Sequence, residues 1–317
     1  MKGEKFSLMQ IIDGIHSIDR SWVRKAVERT ARLVMPPRAL GRLHDVSERI
    51  CGIQQTLTPS IHRKAFLVMA GDHGIVAEGV SAFPQEVTGE MVKTFIKGGA
   101  GINILAAQVD AEVVVVDMGI KPQLDLQSLN AGDRLIIRKV ACGTENFSKR
   151  PAMSEQEAET AVLTGFQIAT ELFKKGIQIL GTGDMGIGNT TPSAAIGAVI
   201  VGSSLDEMVG RGTGVDDEGL TRKKDAIRRG IETNRPDPNN GLDVLTKVGG
   251  FEIGGIAGCF LAGAFHQRPV VIDGFISTAG ALLAHKLAPQ VTDYLFAGHC
   301  SEEPGHRVML NHLGLRP

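Results

Sequence analysis

The chain has 317 residues, enough for one large domain or two around a sizeable core. A net charge of −1 and an aromatic share of 4% leave no basic field for nucleic acid or an anionic membrane, and no stacking platform for single strands. Glycine is the outlier: 39 residues, where average usage gives roughly 22.

The start, Met1-Lys-Gly-Glu-Lys-Phe6, lacks an apolar signal core, and no apolar run is long enough to cross a bilayer. The cysteines, Cys51, Cys142, Cys259 and Cys300, are scattered and form no CxxC pair. They read as thiols of a reducing compartment rather than a zinc or disulfide framework, so the expectation is a cytoplasmic protein. The sequon Asn146-Phe-Ser148 carries no meaning without secretion.

Residues 1 to about 58 read as helices. Trp22, Val23, Ala26, Val27, Ala31 and Val34 recur at helical spacing over 20–34, and Pro36-Pro37 ends that run. A second helix, 40–53, carries Leu40, Leu43, Val46 and Ile50 on one face. The texture changes after Pro59. Ala65 to Ala70 is a buried parallel strand closing on Gly71-Asp72-His73-Gly74. Helices at 86–96 and 101–109 precede strands at 112–117 and 135–140, and Ser154 with Glu157 forms a capping box for a helix to Lys174.

Gly176 to Leu180 reads as the next strand. It leads into Gly181-Thr-Gly-Asp-Met-Gly-Ile-Gly-Asn-Thr-Thr191, and Pro192 to Val201 is a helix with Thr190 or Thr191 as its N-cap. Four glycines in eight positions between strand and helix present bare N–H groups where a helix dipole favours an anion. A tight connection that binds nothing is the plainer alternative. Further on come Gly210-Arg-Gly-Thr-Gly214, a basic helix from Arg222, and a glycine-bearing helix, Phe251 to Phe265. They are followed by a strand ending at Asp273-Gly274, a helix to Leu287, and a strand ending at Gly298-His-Cys-Ser301. Alternating strands and helices predict an α/β protein with a doubly wound, Rossmann-like parallel sheet and a small helical domain. The strand ends at Asp72, at 181–191, at Asp273 and at 298–301 should converge on one crevice.

Gly181-x-Gly183-x-x-Gly186 fits the dinucleotide fingerprint literally, with Asp206 about 20 residues on. No strand leads into Asp206, so an NAD-dependent dehydrogenase is the secondary reading. The run Gly183-Asp-Met-Gly-Ile-Gly-Asn-Thr-Thr-Pro192 resembles the signature of the nicotinate-nucleotide:dimethylbenzimidazole phosphoribosyltransferases of cobamide assembly. The likeness extends through Pro36 to Leu43, Gly71 to Ile75, Gly79 to Thr88, Val248 to Glu252, Asp273 to Phe275 and the tail from His299 to His312.

The resemblance implies transfer of phosphoribose from nicotinate mononucleotide to 5,6-dimethylbenzimidazole or a similar base, giving nicotinate and an α-ribazole phosphate, with no cofactor and no metal. It also implies a helical domain of residues 1–58 completed by the segment from 302, a large domain of 59–301, and a homodimer; a heterodimer with a related subunit is the alternative. By the same resemblance Gly183, Gly186, Asn189, Thr190 and Asp273 bind substrate, Gly212, Thr213, Gly214 and Lys223 take the phosphate, and Ser301 lies nearby. A glycine nest with one ammonium suits a phosphate, whereas a solvated helix-face charge is the plain alternative for Lys223. Phe83, Met91 and Met185 match the acceptor pocket, where soft side chains suit a flat aromatic guest. They could equally be core residues.

Asp184 stands where the family usually has Glu, one methylene shorter; it could accept from ribose hydroxyls, balance developing positive charge, or simply bond its own turn. Asp72-His73 suggest a structural or hydroxyl-binding role rather than a metal site, and Glu302-Glu303 read as a solvated helix start before Pro304. The family's general base is a Glu in a Gly-Glu-Gly stretch that would fall just past Pro317. The expectation is a continuation beyond this segment; a partner-supplied base and a non-catalytic nucleotide-binding subunit are the alternatives.

Overall fold

The computed structural model describes residues 6–122 and 131–317. Residues 1–5, where the sequence shows no signal core, lie outside them. Three helices come first, α1 (Leu8–Asp13), α2 (Arg20–Ala31) and α3 (Arg42–Gln54). Then follow β1 (Lys64–Gly71), α4 (Val87–Lys97), α5 (Gly101–Gln108), β2 (Ala111–Gly119), β3 (Leu135–Ile137), α6 (Glu155–Lys174), β4 (Ile179–Met185) and α7 (Thr190–Val201). The chain continues with α8 (Leu205–Met208), α9 (Asp217–Asn234), α10 (Gly241–Val248), α11 (Phe251–Phe265), β5 (Val270–Ile272), α12 (Phe275–Leu287), β6 (Leu295–Ala297) and α13 (Pro304–His312).

The six strands form one sheet in the order β3-β2-β1-β4-β5-β6, and every pair is parallel. The order reverses between β1 and β4, so the crevice where ligands bind in such sheets lies at their carboxyl ends. The alternation expected of a strand sorts β1 and β2 between two layers. Leu67, Met69, Val114 and Val116 join the large core that includes α6 and α11, whereas Val68, Ala70 and Val115 pack with Val92 and Ile96 of α4. No helix among the described residues is long and apolar enough to cross a membrane.

Several elements fall where the sequence puts them. The Ser154–Glu157 capping box is present, and α11 spans the expected residues. The third strand stops at Ile137 rather than Val140. Helix α3 begins at Arg42, after Gly41 at φ 53°, and Leu40 and Leu43 are exposed rather than on its buried face. The larger correction concerns the glycine run. Strand β4 does not end at Leu180; it runs to Met185, with Gly181 paired to Phe66 and Asp184 to Met69. Gly181 is a strand residue because the Phe66 ring lies over it, where a methyl would collide. The turn shrinks to 186–189, and Asn189 rather than either threonine takes the N-cap position of α7.

Helices α6 and α11 approach backbone to backbone: a Cβ on Gly165 would strike the Gly255 carbonyl, and one on Gly258 the Val162 carbonyl. Gly165→Ala should therefore cost about 3 kcal/mol through overpacking, read as a fall in urea midpoint at unchanged slope. Gly101→Ala, whose methyl meets open space, should leave the midpoint unchanged or slightly raised.

Candidate active site

The site sits where β1 and β4 end. Strand β4 delivers Asp184 and Met185, and Gly186 follows. A Cβ on Gly186 would strike the Gly71 carbonyl and come within 3.1 Å of His73 Nε2, so a side chain has no room there. Gly183 is a strand residue whose missing Cβ would make only an ordinary contact with Val68. Gly188, at φ 85°, turns the chain into α7.

Asp184 is half-buried, and its Oδ2 accepts from Asn189 Nδ2 at 2.7 Å, so the N-cap residue serves the carboxylate instead of the helix. Burial pushes the Asp184 carboxyl up to about 7, aided by the charges of Asp273 and Glu252 and opposed by the Asn189 bond and His73. A carboxyl held near neutrality is what acid–base chemistry at physiological pH requires.

Behind it lie Asp72, His73 and Glu252, all fully buried. Asp72 Oδ2 accepts from the Lys121 N–H at 2.8 Å, which ties the ends of β1 and β2 together. His73 Nε2 stands 2.9 Å from Glu252 Oε1. Burial alone would lower the imidazolium's pKa, but Glu252, Asp72 and Asp184 outweigh it and the pKa rises. Only a glycine fits beside this pair at position 250, where a Cβ would lie 2.5 Å from His73 Cε1.

The expected phosphate residues also converge. Lys223, on α9, is 1% exposed. Its Nζ donates to Thr190 Oγ1 at 2.8 Å and to the Gly210 carbonyl at 3.0 Å. A Cβ on Gly212 would lie 2.8 Å from Thr190 Oγ1 and 3.2 Å from Lys223 Nζ. The 181–191 and 210–214 segments are therefore neighbours, and Lys223 is a buried ammonium rather than a solvated one. Burial pulls it down to about 8. Gly212 and Gly214 adopt φ 56° and 99°, and the Gly214 N–H closes the loop on the Arg211 carbonyl at 3.1 Å. The Gly212 N–H is used outside the loop.

Ser301 is fixed by His306, which is fully buried. The Ser301 N–H donates to His306 Nδ1 at 2.9 Å with the Ser301 hydroxyl at the same distance, and His306 Nε2 meets Thr278 Oγ1 at 2.9 Å. Nδ1 is thus an acceptor and the proton sits on Nε2; burial lowers this imidazole to about 4. Asp273 stands exposed at the end of β5, 3.7 Å from His299 Nδ1. Of the acceptor-pocket residues, Met185 packs with the α4 side, Met91 lies on α4, and Phe83 is 49% exposed in the loop before it.

Sequence reasoning missed three contributors. Glu252 appeared only inside a quoted motif, and His306 with Thr278 is a pair 28 residues apart with no local signal. Glu303 is the third: it stands at the N-cap of α13 as expected, but its carboxylate is not left to solvent. Its Oε1 accepts from the Gly212 N–H at 2.8 Å and its Oε2 is buried. A partner 91 residues away cannot be read from spacing.

This fold and site define a doubly wound α/β protein that gathers glycine backbone, a buried ammonium and carboxylates near the carboxyl ends of its central strands. Residues 15–317 match a family described as phosphoribosyltransferase. A nicotinate-nucleotide–dimethylbenzimidazole phosphoribosyltransferase of Desulforudis audaxviator (strain MP104C) is 50% identical over 310 residues, covering 98% of this chain and 86% of that protein. One of Geobacter sulfurreducens, with the same name, is 48% identical over 312 residues, covering 98% and 87%. The crystal structure of CobT from Thermus thermophilus superposes with a TM-score of 0.89 at 47% identity, covering 94% of this chain and 87% of that one. The chain belongs to this phosphoribosyltransferase family.

Proposed function

We infer that the chain transfers phosphoribose from nicotinate mononucleotide to 5,6-dimethylbenzimidazole or a similar aromatic base, releasing nicotinate and forming an α-ribazole phosphate for cobamide assembly. The names of the relatives support this reading. The observation that carries it is the meeting of Lys223, Thr190 and Gly212 beyond the end of the strand that bears Asp184.

The chemistry suits these groups. Nicotinate leaves the ribose as a neutral ring nitrogen, so departure needs no general acid. What speeds it is a held phosphate and a negative charge facing the cation that develops on the sugar. Lys223 and the Gly212–Thr213 amides hold the phosphate, with the Ser301 hydroxyl oriented by His306. Asp184, ionised above about pH 7, supplies the charge, and Asn189 fixes its direction. Met91, Met185 and Phe83 form the acceptor's wall, with Asp273 at the rim.

The same reading takes residues 1–58 with the segment from 302 as a helical domain beside the site-bearing 59–301; the Arg42 guanidinium donating to the Arg316 carbonyl supports joining the two ends. It also takes the assembly as a cytoplasmic homodimer, or a heterodimer with a related subunit, and the exposed Val34, Leu40 and Leu43 beside Pro36-Pro37 offer an apolar face for it.

The test is direct. Mixed with nicotinate mononucleotide and dimethylbenzimidazole, the protein should release free nicotinate, and omission of the base should suppress release. Mononucleotide binding without turnover would instead make this chain a binding subunit, and no binding would end the proposal.

A further inference from the structure

Glu303 is a group that the transfer reaction does not call for. Its carboxylate holds the Gly212 amide, an N–H group of the loop assigned above to substrate phosphate. The second oxygen, Oε2, is buried with no hydrogen-bond partner among the described residues, and it fills the space that a Cβ on Gly210 would take. A carboxylate kept for stability would have both oxygens satisfied, because an orphaned buried acceptor forfeits its hydration. Across Gly212 stands Lys223, which uses two of its three N–H donors on Thr190 and Gly210. The cradle therefore has a spare donor on one side and a poorly held anion on the other.

We propose that Glu303 is the resident anion of this cradle: it occupies the Gly212 amide in the empty protein and swings out when the phosphate monoester of the substrate enters. This rests on the phosphate reading above. The exchange needs only one side chain to rotate, since Gly305 is locked against Met208 and Pro304 lies close on Gly210, which pins the start of α13. A phosphate monoester brings three acceptor oxygens and up to two charges in place of one carboxylate oxygen. It can take the Gly212 amide and the spare Lys223 donor together, whereas a single carboxylate offers little over the one already there. Glu303 thus sets how strong an anion must be to gain entry, which makes it a specificity-determining residue.

Glu303→Gln keeps an oxygen for the Gly212 amide and removes the charge. Inorganic phosphate and nicotinate mononucleotide, titrated by calorimetry, should each bind this variant about tenfold more tightly than the wild type. Acetate should gain as well, so that the preference for phosphate over acetate narrows. Unchanged or weaker phosphate binding in Glu303→Gln, with a melting temperature equal to wild type, overturns the proposal. A Lys223→Met variant of each protein separates the two readings. Loss of phosphate binding in both backgrounds without tightening by Glu303→Gln removes only the role of Glu303. Phosphate binding indifferent to Lys223 removes the cradle and this inference together.

Discussion

Asp184→Asn should lower the turnover of nicotinate release by about a thousandfold while leaving mononucleotide affinity within a fewfold, since a charge facing the developing cation acts in the transition state. Asn keeps the shape and can still meet Asn189, so the loss reports charge rather than position. Stability should move the opposite way. The folded carboxyl titrates at about 7 against an ordinary value of 3.8, so the native state takes up a proton that the unfolded chain does not hold between these pH values. Its stability falls as pH rises through that window, and the penalty is complete above 7. Asp184→Asn lifts that penalty and should stabilise the protein at pH 8 by about 2 kcal/mol, after discounting for partial exposure, and by little at pH 4. Wild-type turnover should rise with pH through about 7. Melting curves at both pH values and a pH–rate profile check this. An Asn variant destabilised at pH 8 would mean that the carboxylate holds the turn together instead.

Lys223→Met should weaken nicotinate mononucleotide binding about a hundredfold or more, because the phosphate would then face a buried cradle without its cation. The pH dependence is as telling as the size. Burial holds the ammonium at about 8, below the usual 10.5. Wild-type affinity for the mononucleotide should decline as pH rises through 8, and the Met variant's weak affinity should be flat there. The folded protein binds fewer protons than the unfolded chain between about 8 and 10.5, so wild-type stability should rise with pH over that range, and the Met variant should lose the rise. Calorimetric titrations at pH 7 and 9 read the first effect and urea midpoints the second. A Met variant with wild-type affinity would place the phosphate elsewhere.

Both substitutions set function against folding, which is how residues kept for chemistry differ from those kept for the core. The distinction also explains what the chain's sequence made legible. Helix α11 and the capping box of α6 were readable because each rests on a local pattern: a continuous apolar run, or a Ser and a Glu three residues apart. The extent of β4 was not, because glycine ordinarily signals a turn, and Gly181 is in a strand only to make room for Phe66 of the neighbouring strand. Leu40 and Leu43 fit a helical face numerically, yet Gly41 starts the helix after Leu40 and turns both outward.

The site divides along the same line. The strand-end acids and the glycine run pointed to the crevice from residue type alone. Thr190 and Lys223 were each named by family likeness, but their contact with one another is legible only in the fold. Glu303 on Gly212 and His306 on Ser301 escaped because each joins segments that only the tertiary fold brings together.

The close meeting of α6 and α11 reaches beyond their own packing. Glu252 lies in the first turn of α11, and this helix is keyed into its neighbour at Gly255 and Gly258. The counter-charge of His73 is thereby mounted on a closely packed helix pair, with little slack along the helix axis. A methyl inserted at Gly258, about one and two-thirds turns away, would shift that charge against the imidazole before it unfolded anything, and the chemistry would report the strain earlier than a melting curve.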